Sequence, residues 1–365
     1  MSDRRSVTTV FGMTLHNNAR YLREAIASIL AQTDQDFALV MLDDGSTDDT
    51  PSIASEYEQS ESRVQYFRHD TRQGMVGAWK DVATIARREH PEARYFAWAS
   101  DHDRWHPAWL ERMRAAFEAH PDLVLAYPVT SRIGEAGEPL DKGPRYFETV
   151  GLTDINKRWR HFCHEGVGSG DMVYGLFCFQ ALVRAGVFRP ALRPDRLLIA
   201  ELALQGQFKQ VDEVLWFRRQ SGPSSIARQR QTLFLEGQEP KWFHLPAWMQ
   251  HALILRREYG DSPTPPVRID AGRLRRMLLR YQLTYGWRHV RKTETSHAIG
   301  RGIDNAIWIK KIIKRTYHHA VYYTLVTGHA LWGRSRRLGR RALYEVLMFT
   351  HRTGLRGSSN GTRGR

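Results

Sequence analysis

The sequence predicts an α/β protein: a mostly parallel sheet sandwiched by helices, followed by a basic α-helical C-terminal region. Over the first 130 residues, short apolar runs alternate with amphipathic stretches. The links between them are short, as in parallel sheets covered by helices on both faces. The C-terminal region is predicted from charge. From Val267 to Arg365 there are 22 Lys and Arg against 4 Asp and Glu, so this stretch carries the whole excess behind the net charge of +15.

In order, "VTTVFGM" reads as a strand, "RYLREAIASILAQ" as a helix and "FALVML" as a strand. Thr50 then offers an N-cap and Pro51 a first helical position, opening "PSIASEYEQ". "RVQYF" is a strand, "MVGAWKDVATIARREH" a helix, "YFAWAS" a strand, "PAWLERMRAAFEAH" a helix and "LVLAY" a strand. Beyond Tyr127 the pattern loosens into "SRIGEAGEPLDKGPRYFETVG", an irregular excursion, and a glycine cluster, "HEGVGSGDMVYGLF". "RPDRLLIAELALQGQF" is a helix with Pro194 near its first turn and Gly206 past its end, and "QVDEVLWFRR" a further strand. From about Ala227 the chain reads as helical and basic, and "RTGLRGSSNGTRGR" as disordered. The expected divisions are therefore 1–226, within which 1–130 and 131–226 form two halves, then 227–350 and a 351–365 tail.

The two cysteines, Cys163 and Cys178, exclude a disulfide framework and a thiolate-rich zinc site; two reduced thiols in a cytosolic chain is the expectation. "MSDRRSVTTV" has no apolar core of a signal peptide, which also points to a cytoplasmic protein.

Ligands of an open parallel sheet bind outside the carboxyl ends of its strands. Three loops there are unusually polar: "MTLHNN", "LDDGSTDDT" and "SDHDRW". Acidic side chains gathered at one rim repel one another unless a cation shares the site. A hard divalent ion such as Mg²⁺ or Mn²⁺ takes oxygen ligands, and Mn²⁺ accepts an imidazole. The alternative is a set of solvated loops whose short polar side chains satisfy backbone groups.

"VFGMTLHNNARYLREAIASILAQTDQDFALVMLDDGSTDDT" resembles the opening of a family 2 glycosyltransferase, which has the nucleotide-sugar-binding GT-A fold, and "SDHDRWHPAWL" lies where that family carries its Asp-x-Asp motif. The resemblance runs from about Val7 to Arg219. It implies that 1–226 is a catalytic domain, with 1–130 binding the nucleotide sugar and 131–226 providing the acceptor side and the catalytic base. Thr14, Leu15, His16 and Asn17, with Asp43 and Asp44, would hold the nucleobase; turn and helix-cap chemistry is the alternative for the acidic pair. "RQGMVGAWK" matches a glycine-containing segment beside the ribose and diphosphate, which places Gly74 and Lys80 there, although Trp79 and Lys80 stand where Arg-Asn is usual. Asp103 is the first metal ligand implied; Asp101 is the second, or a ribose contact; His102 occupies a place often held by the metal-binding acid. Asp195, eleven positions before Gly206, matches the family's general base, against the alternative of an aspartate stabilising a helix N-terminus. Gly168, Gly170 and Asp171 would let backbone approach the donor sugar or acceptor, and Arg218 and Arg219 fall where diphosphate-binding residues stand.

The activity implied is transfer, with inversion, of a sugar from a nucleoside diphosphate sugar to a hydroxyl on a cell-envelope polysaccharide or lipid-linked glycan, assisted by Mg²⁺ or Mn²⁺. A nucleotidyltransferase on a similar sheet and a catalytically silent sugar-nucleotide binder are the alternatives. Leu274, Met277, Leu278 and Tyr281 recur at helical spacing among Arg273, Arg275, Arg276 and Arg280. Such helices either lie on an anionic membrane surface, making the enzyme peripheral, or cap the catalytic domain. Nucleic acid is not an expected partner, because the acidic loops would repel a polyanion and no nucleic-acid-binding motif is present.

Overall fold

The computed structural model describes residues 6–140, 145–166, 169–220, 233–235, 239–240 and 245–297. Gly168, the stretch 221–232, everything after residue 297 and, with it, the expected 351–365 tail lie outside the described residues.

Strand β1 (Thr9–Leu15) runs parallel to β2 (Phe37–Asp43), and β3 (Val64–Arg68) lies parallel beyond β2. On its other side β1 pairs in parallel with β4 (Tyr95–Ser100). Helices α1 (Ala19–Leu30), α2 (Thr50–Ser60) and α3 (Gly74–Glu89) make the crossovers. Both faces of these strands are covered. In β2, Val40 and Leu42 join one apolar cluster while Leu39 and Met41 join the other. A strand buried on both faces has no polar alternation, so these strands read in the sequence as continuous apolar runs. Helix α1 meets the sheet with Leu22, Ala25, Ile26 and Ile29, spaced as one helical stripe.

Past β4 the structure departs from simple alternation. A two-residue strand, β5 (Arg104–Trp105), lies within "SDHDRW" and pairs antiparallel with β9 (Gln207–Arg219). Helix α4 (Trp109–Ala119) follows, then β6 (Leu123–Ile133), which continues beyond Tyr127 because β9 pairs with it along its length. Strand β7 (Pro139–Leu140) folds back on the end of β6, so the expected irregular excursion begins as a hairpin. Helix α5 (Ile155–Glu165), not expected from the sequence, starts at Asp154, whose carboxylate accepts from the amides of Asn156 and Lys157. The short α6 (Ser169–Met172) leads to β8 (Leu176–Cys178), which sits antiparallel between β4 and β6. Helices α7 (Phe179–Arg184) and α8 (Pro194–Gln205) precede β9. The sheet order is β3-β2-β1-β4-β8-β6-β9-β5, so the parallel half is extended by a mixed half.

After β9 come α9 (Ala247–Arg256), a π-helical turn (Arg257–Asp261) and α10 (Ala271–His297). Leu274, Met277, Leu278 and Tyr281 are buried in the main core, and the indole N–H of Trp159 donates to the carbonyl of Met277 at 2.8 Å. Arg273, Arg275, Arg276 and Arg280 face out. The apolar stripe of this segment is thus spent on packing, as in a cap. The chain divides into one compact unit, Met1–Trp287, and a second, Arg288–Arg365, of which only residues 288–297 are described. Among the described residues no helix is long and apolar enough to cross a membrane. Trp98, Trp105 and Trp109 are core side chains.

Candidate active site

The register of the parallel strands brings three loops to one edge. Leu15 pairs with Asp43 and Thr14 with Ser100, so the chain leaves β1, β2 and β4 side by side. Leu15 itself points into the core, while Thr14 is half-buried. Hydrogen bonds then stitch the loops together. The His16 amide donates to Asp101 Oδ2 at 3.4 Å, and His16 Nδ1 lies 3.0 Å from the carbonyl oxygen of Asp44. A carbonyl only accepts, so Nδ1 carries the proton and Nε2 faces away from this bond. Asn17, in the left-handed region at φ 49°, donates from its amide to Ser46 Oγ and accepts from the Thr47 amide. Asn18 Nδ2 donates to Asp101 Oδ1 at 2.8 Å.

The acidic pair holds the second loop. Asp43 is buried; it accepts from the Ser46 amide at 2.8 Å and from the Tyr66 hydroxyl at 3.0 Å. Burial, then the Asp43 carboxylate, pushes the Tyr66 hydroxyl up to about 12. Asp44 accepts from the amides of Gln73 at 2.6 Å and Gly74 at 2.9 Å and from His69 Nδ1 at 3.0 Å. It thereby caps the start of α3, where Gly74 takes a φ of +79° that a side chain would resist. Both aspartates do the turn and cap work the sequence offered as the alternative. Lys80 stands exposed on α3, and among the described residues no hydrogen bond or ion pair joins it to the rim.

The third loop carries Asp101, His102 and Asp103. His102 Nδ1 is 2.7 Å from Asp101 Oδ1, and Nε2 is 3.9 Å from Asp103 Oδ1. Burial pulls the imidazolium down, but the Asp101 hydrogen bond and the charges of Asp103 and Asp101 outweigh it, and His102 sits above its ordinary value. Asp103 is 1% exposed, and burial raises its carboxyl above the usual range despite the opposing pull of His102. Asp103 Oδ1 accepts from the Arg219 amide at 2.7 Å. Among the described residues no three His, Cys, Asp or Glu side chains are grouped to hold a metal ion.

The two arginines ending β9 part company. Arg219 is buried and fully engaged, donating to the carbonyls of His102, Gly134 and Glu135 and to Glu24. Arg218 turns to the other face, where Nη1 donates to the Gly170 carbonyl at 3.0 Å and to Asp171 Oδ1 at 2.7 Å. Asp195 lies in the first turn of α8, after Arg193 at φ 51°. Its Oδ2 and Arg218 Nη1 are each 3.6 Å from the point where a Cβ on Gly170 would stand. Half-buried Tyr174 stacks on Trp216, and the Arg218 guanidinium stands 6.0 Å from its ring centre. Its hydroxyl is pushed up, first by burial and then by the carboxylates of Asp103, Asp101 and Asp195, while Arg218 pulls it back.

The rim thus gathers His16, Asn17, the Asp44 carbonyl, Asp101, His102, Asp103, Arg218 and Asp195, and leaves Leu15, Asp43 and Lys80 apart from it. Sequence reasoning missed Asn18, Tyr174 and Arg132. Asn18 had a signal, as the last polar residue of "LHNN"; the other two look like ordinary strand and loop residues.

Residues 11–169 match the model of glycosyl transferase family 2. A Bacillus subtilis protein named as a teichuronic acid biosynthesis glycosyltransferase, TuaG, is 28% identical over 126 residues, 34% of this chain and 48% of that one. Proteins named uncharacterized glycosyltransferases are 31% identical over 147 residues in Rickettsia felis and 34% over 104 in Nostoc. These matches cover 39% and 28% of this chain, and 22% and 30% of those relatives. The match therefore spans less than half of these curated relatives. Among solved structures, S. aureus TarS 1–349 in complex with UDP-GlcNAc superposes with a TM-score of 0.54 at 14% identity, covering 81% of this chain and 76% of that one. Its complex with UDP gives 0.53 at 14% identity, with 83% and 78% covered. The chain shares their GT-A fold.

Proposed function

On the premise that residues 11–169 are a glycosyl transferase family 2 segment, we propose that the chain moves a sugar from a nucleoside diphosphate sugar to a hydroxyl acceptor, with inversion. One observation supports this reading above the rest: the loop after β4 is tied by Asp103 to the backbone of Arg219 on β9, and the neighbouring Arg218 lies with Asp195 from α8 around Gly170, each 3.6 Å from where a Cβ there would stand. Those groups come from separate turns, as a site between donor and acceptor requires.

In this reading the β1 and β2 loops hold the nucleotide, with His16 and Asn17 as its nearest side chains. Asp44 contributes by shaping the loop, since three donors already occupy its carboxylate. Arg218 meets the diphosphate and neutralises charge as it departs. Asp195 takes the proton from the acceptor hydroxyl while that oxygen attacks the anomeric carbon from the face opposite the leaving group. A single displacement of this kind inverts the centre.

Mg²⁺ or Mn²⁺ would be held by Asp103 and His102 Nε2, because His102 Nδ1 is committed to Asp101 and the Asp101 carboxylate already accepts from the His16 amide and Asn18. The donor's phosphate oxygens and water would complete the shell, as is usual for ions that bind through one or two carboxylates. Bound there, the ion would supply charge neutralisation at the diphosphate.

The acceptor we favour is a cell-envelope glycan or lipid-linked saccharide. TuaG's name supports the envelope, and the exposed arginines of α10 support an anionic surface nearby. With the apolar stripe of α10 already buried, residues 271–285 would attract a membrane by charge alone.

The test is product release. With Mn²⁺ and a panel of UDP-, GDP- and dTDP-sugars, the proposal expects nucleoside diphosphate. Pyrophosphate released from a nucleoside triphosphate would replace it with a nucleotidyltransferase, and tight donor binding without turnover would make the chain a silent binder.

A further inference from the structure

Arg132 on β6 and Arg218 on β9 are direct register partners in adjacent strands. Two like charges so placed repel and would weaken the sheet at that point. Asp171, carried by α6, sits between them. Arg132 Nη2 donates to both its oxygens at 2.7 Å, and Arg218 Nη1 donates to Oδ1 at 2.7 Å. The three side chains are not equally open: Arg132 and Asp171 are 14% and 13% exposed, Arg218 36%. Arg132 Nη1 is buried with no hydrogen-bond partner among the described residues, so Arg132 is a support and not a contact for anything arriving from solvent. Arg218 has spent Nη1 on Asp171 and the Gly170 carbonyl. Among the described residues its Nε and Nη2 make no hydrogen bond, so they are left for the rim.

We propose that Asp171 is a positioning residue for the transfer: anchored by Arg132, it holds the Arg218 guanidinium beside Asp195 across Gly170. This rests on the glycosyltransferase reading. The diphosphate departs from the same anomeric carbon that the acceptor attacks, so the guanidinium and the base must keep a set separation. A free arginine would sample many rotamers, and each would place its charge elsewhere; the two-point grip on Nη1 removes that freedom before substrate arrives. Gly170 adds its carbonyl to the same grip, and the position of a Cβ on it lies at an ordinary contact distance, 3.6 Å, from both Arg218 Nη1 and Asp195 Oδ2.

The test is a double-mutant cycle on the full chain, Asp171→Asn against Arg218→Met, read as nucleoside diphosphate release and, separately, as thermal midpoint. If Asp171 acts through Arg218, Asp171→Asn lowers kcat/KM about tenfold alone and less than about twofold in the Arg218→Met background, while Asp171→Glu restores part of the loss. A merely structural aspartate would give the same fold loss in both backgrounds, and that result overturns the proposal. If Asp171→Asn does not fold, Arg132→Lys takes its place in the cycle with the same two outcomes. A wild-type chain that turns over no donor refutes the transferase reading separately. The cycle is then read on the Kd for UDP with Mn²⁺ by calorimetry: weakening confined to the Arg218 background supports the clamp, whereas equal weakening in both backgrounds, or no UDP binding at all, overturns it.

Discussion

Asp103 Oδ1 accepts a 2.7 Å hydrogen bond from the backbone N–H of Arg219, 116 residues further along the chain. The loop after β4 is therefore closed by the end of β9, and β5 forms beside that contact. The same arginine's side chain donates to the His102 carbonyl at 2.9 Å, so one residue fastens both His102 and Asp103.

Arg219→Met should cost about 2–3 kcal/mol of stability, because it removes a buried guanidinium that is bonded to three carbonyls and to Glu24. Urea unfolding should show a lower midpoint with an unchanged slope. Arg218→Met, on the more open side of the strand, should lose turnover with much less loss of stability.

Asp195→Asn should lower turnover by about 10²–10⁴-fold while leaving donor affinity unchanged, the signature of a lost general base. Steady-state kinetics paired with calorimetry of donor binding separates the two quantities. Unchanged kcat would return Asp195 to a helix-stabilising role.

Asp44→Ala should destabilise the ligand-free protein by about 0.5–2 kcal/mol, since the carboxylate caps α3 through two amides. A residue serving only the nucleotide would leave the stability of the free chain unaltered, so chemical denaturation without ligand discriminates between them.

Glu201 is fully buried, its Oε1 bound to Arg189 at 2.7 Å and its Oε2 without a partner among the described residues. Burial, opposed by Arg189, pushes its carboxyl up to about 8 from 4.5. The folded state thus holds the proton more tightly than the unfolded one. Its stabilising effect is complete below the unfolded value and is lost as pH rises towards 8. Glu201→Gln should remove this slope, and thermal midpoints of the two proteins compared between pH 5 and pH 8.5 should diverge, with the wild type falling.

The parallel half of the sheet was legible residue by residue. "FALVML" and "YFAWAS" carry no polar alternation because helices cover both faces, and the stripe Leu22, Ala25, Ile26, Ile29 announces which side of α1 faces inward. Asp43 and Asp44 were legible as an acidic pair but ambiguous in role. Turn-forming and ligand-binding aspartates look alike until the donors around them are placed, and here those donors are Ser46, Tyr66, Gln73 and Gly74.

Local chemistry written in consecutive residues settled the alternation of strands and helices, the polar loops at one sheet edge, and the accumulation of positive charge towards the C-terminus. These follow from side-chain period and from charge, which depend on neighbours a few positions away. The burial of Asp103, the opposite fates of Arg218 and Arg219, the shared grip on Asp171 and the use of the α10 stripe as packing were decided in three dimensions. Each depends on strands β6, β8 and β9 meeting across long separations, and pairing between distant segments leaves no periodic trace in the chain that makes it.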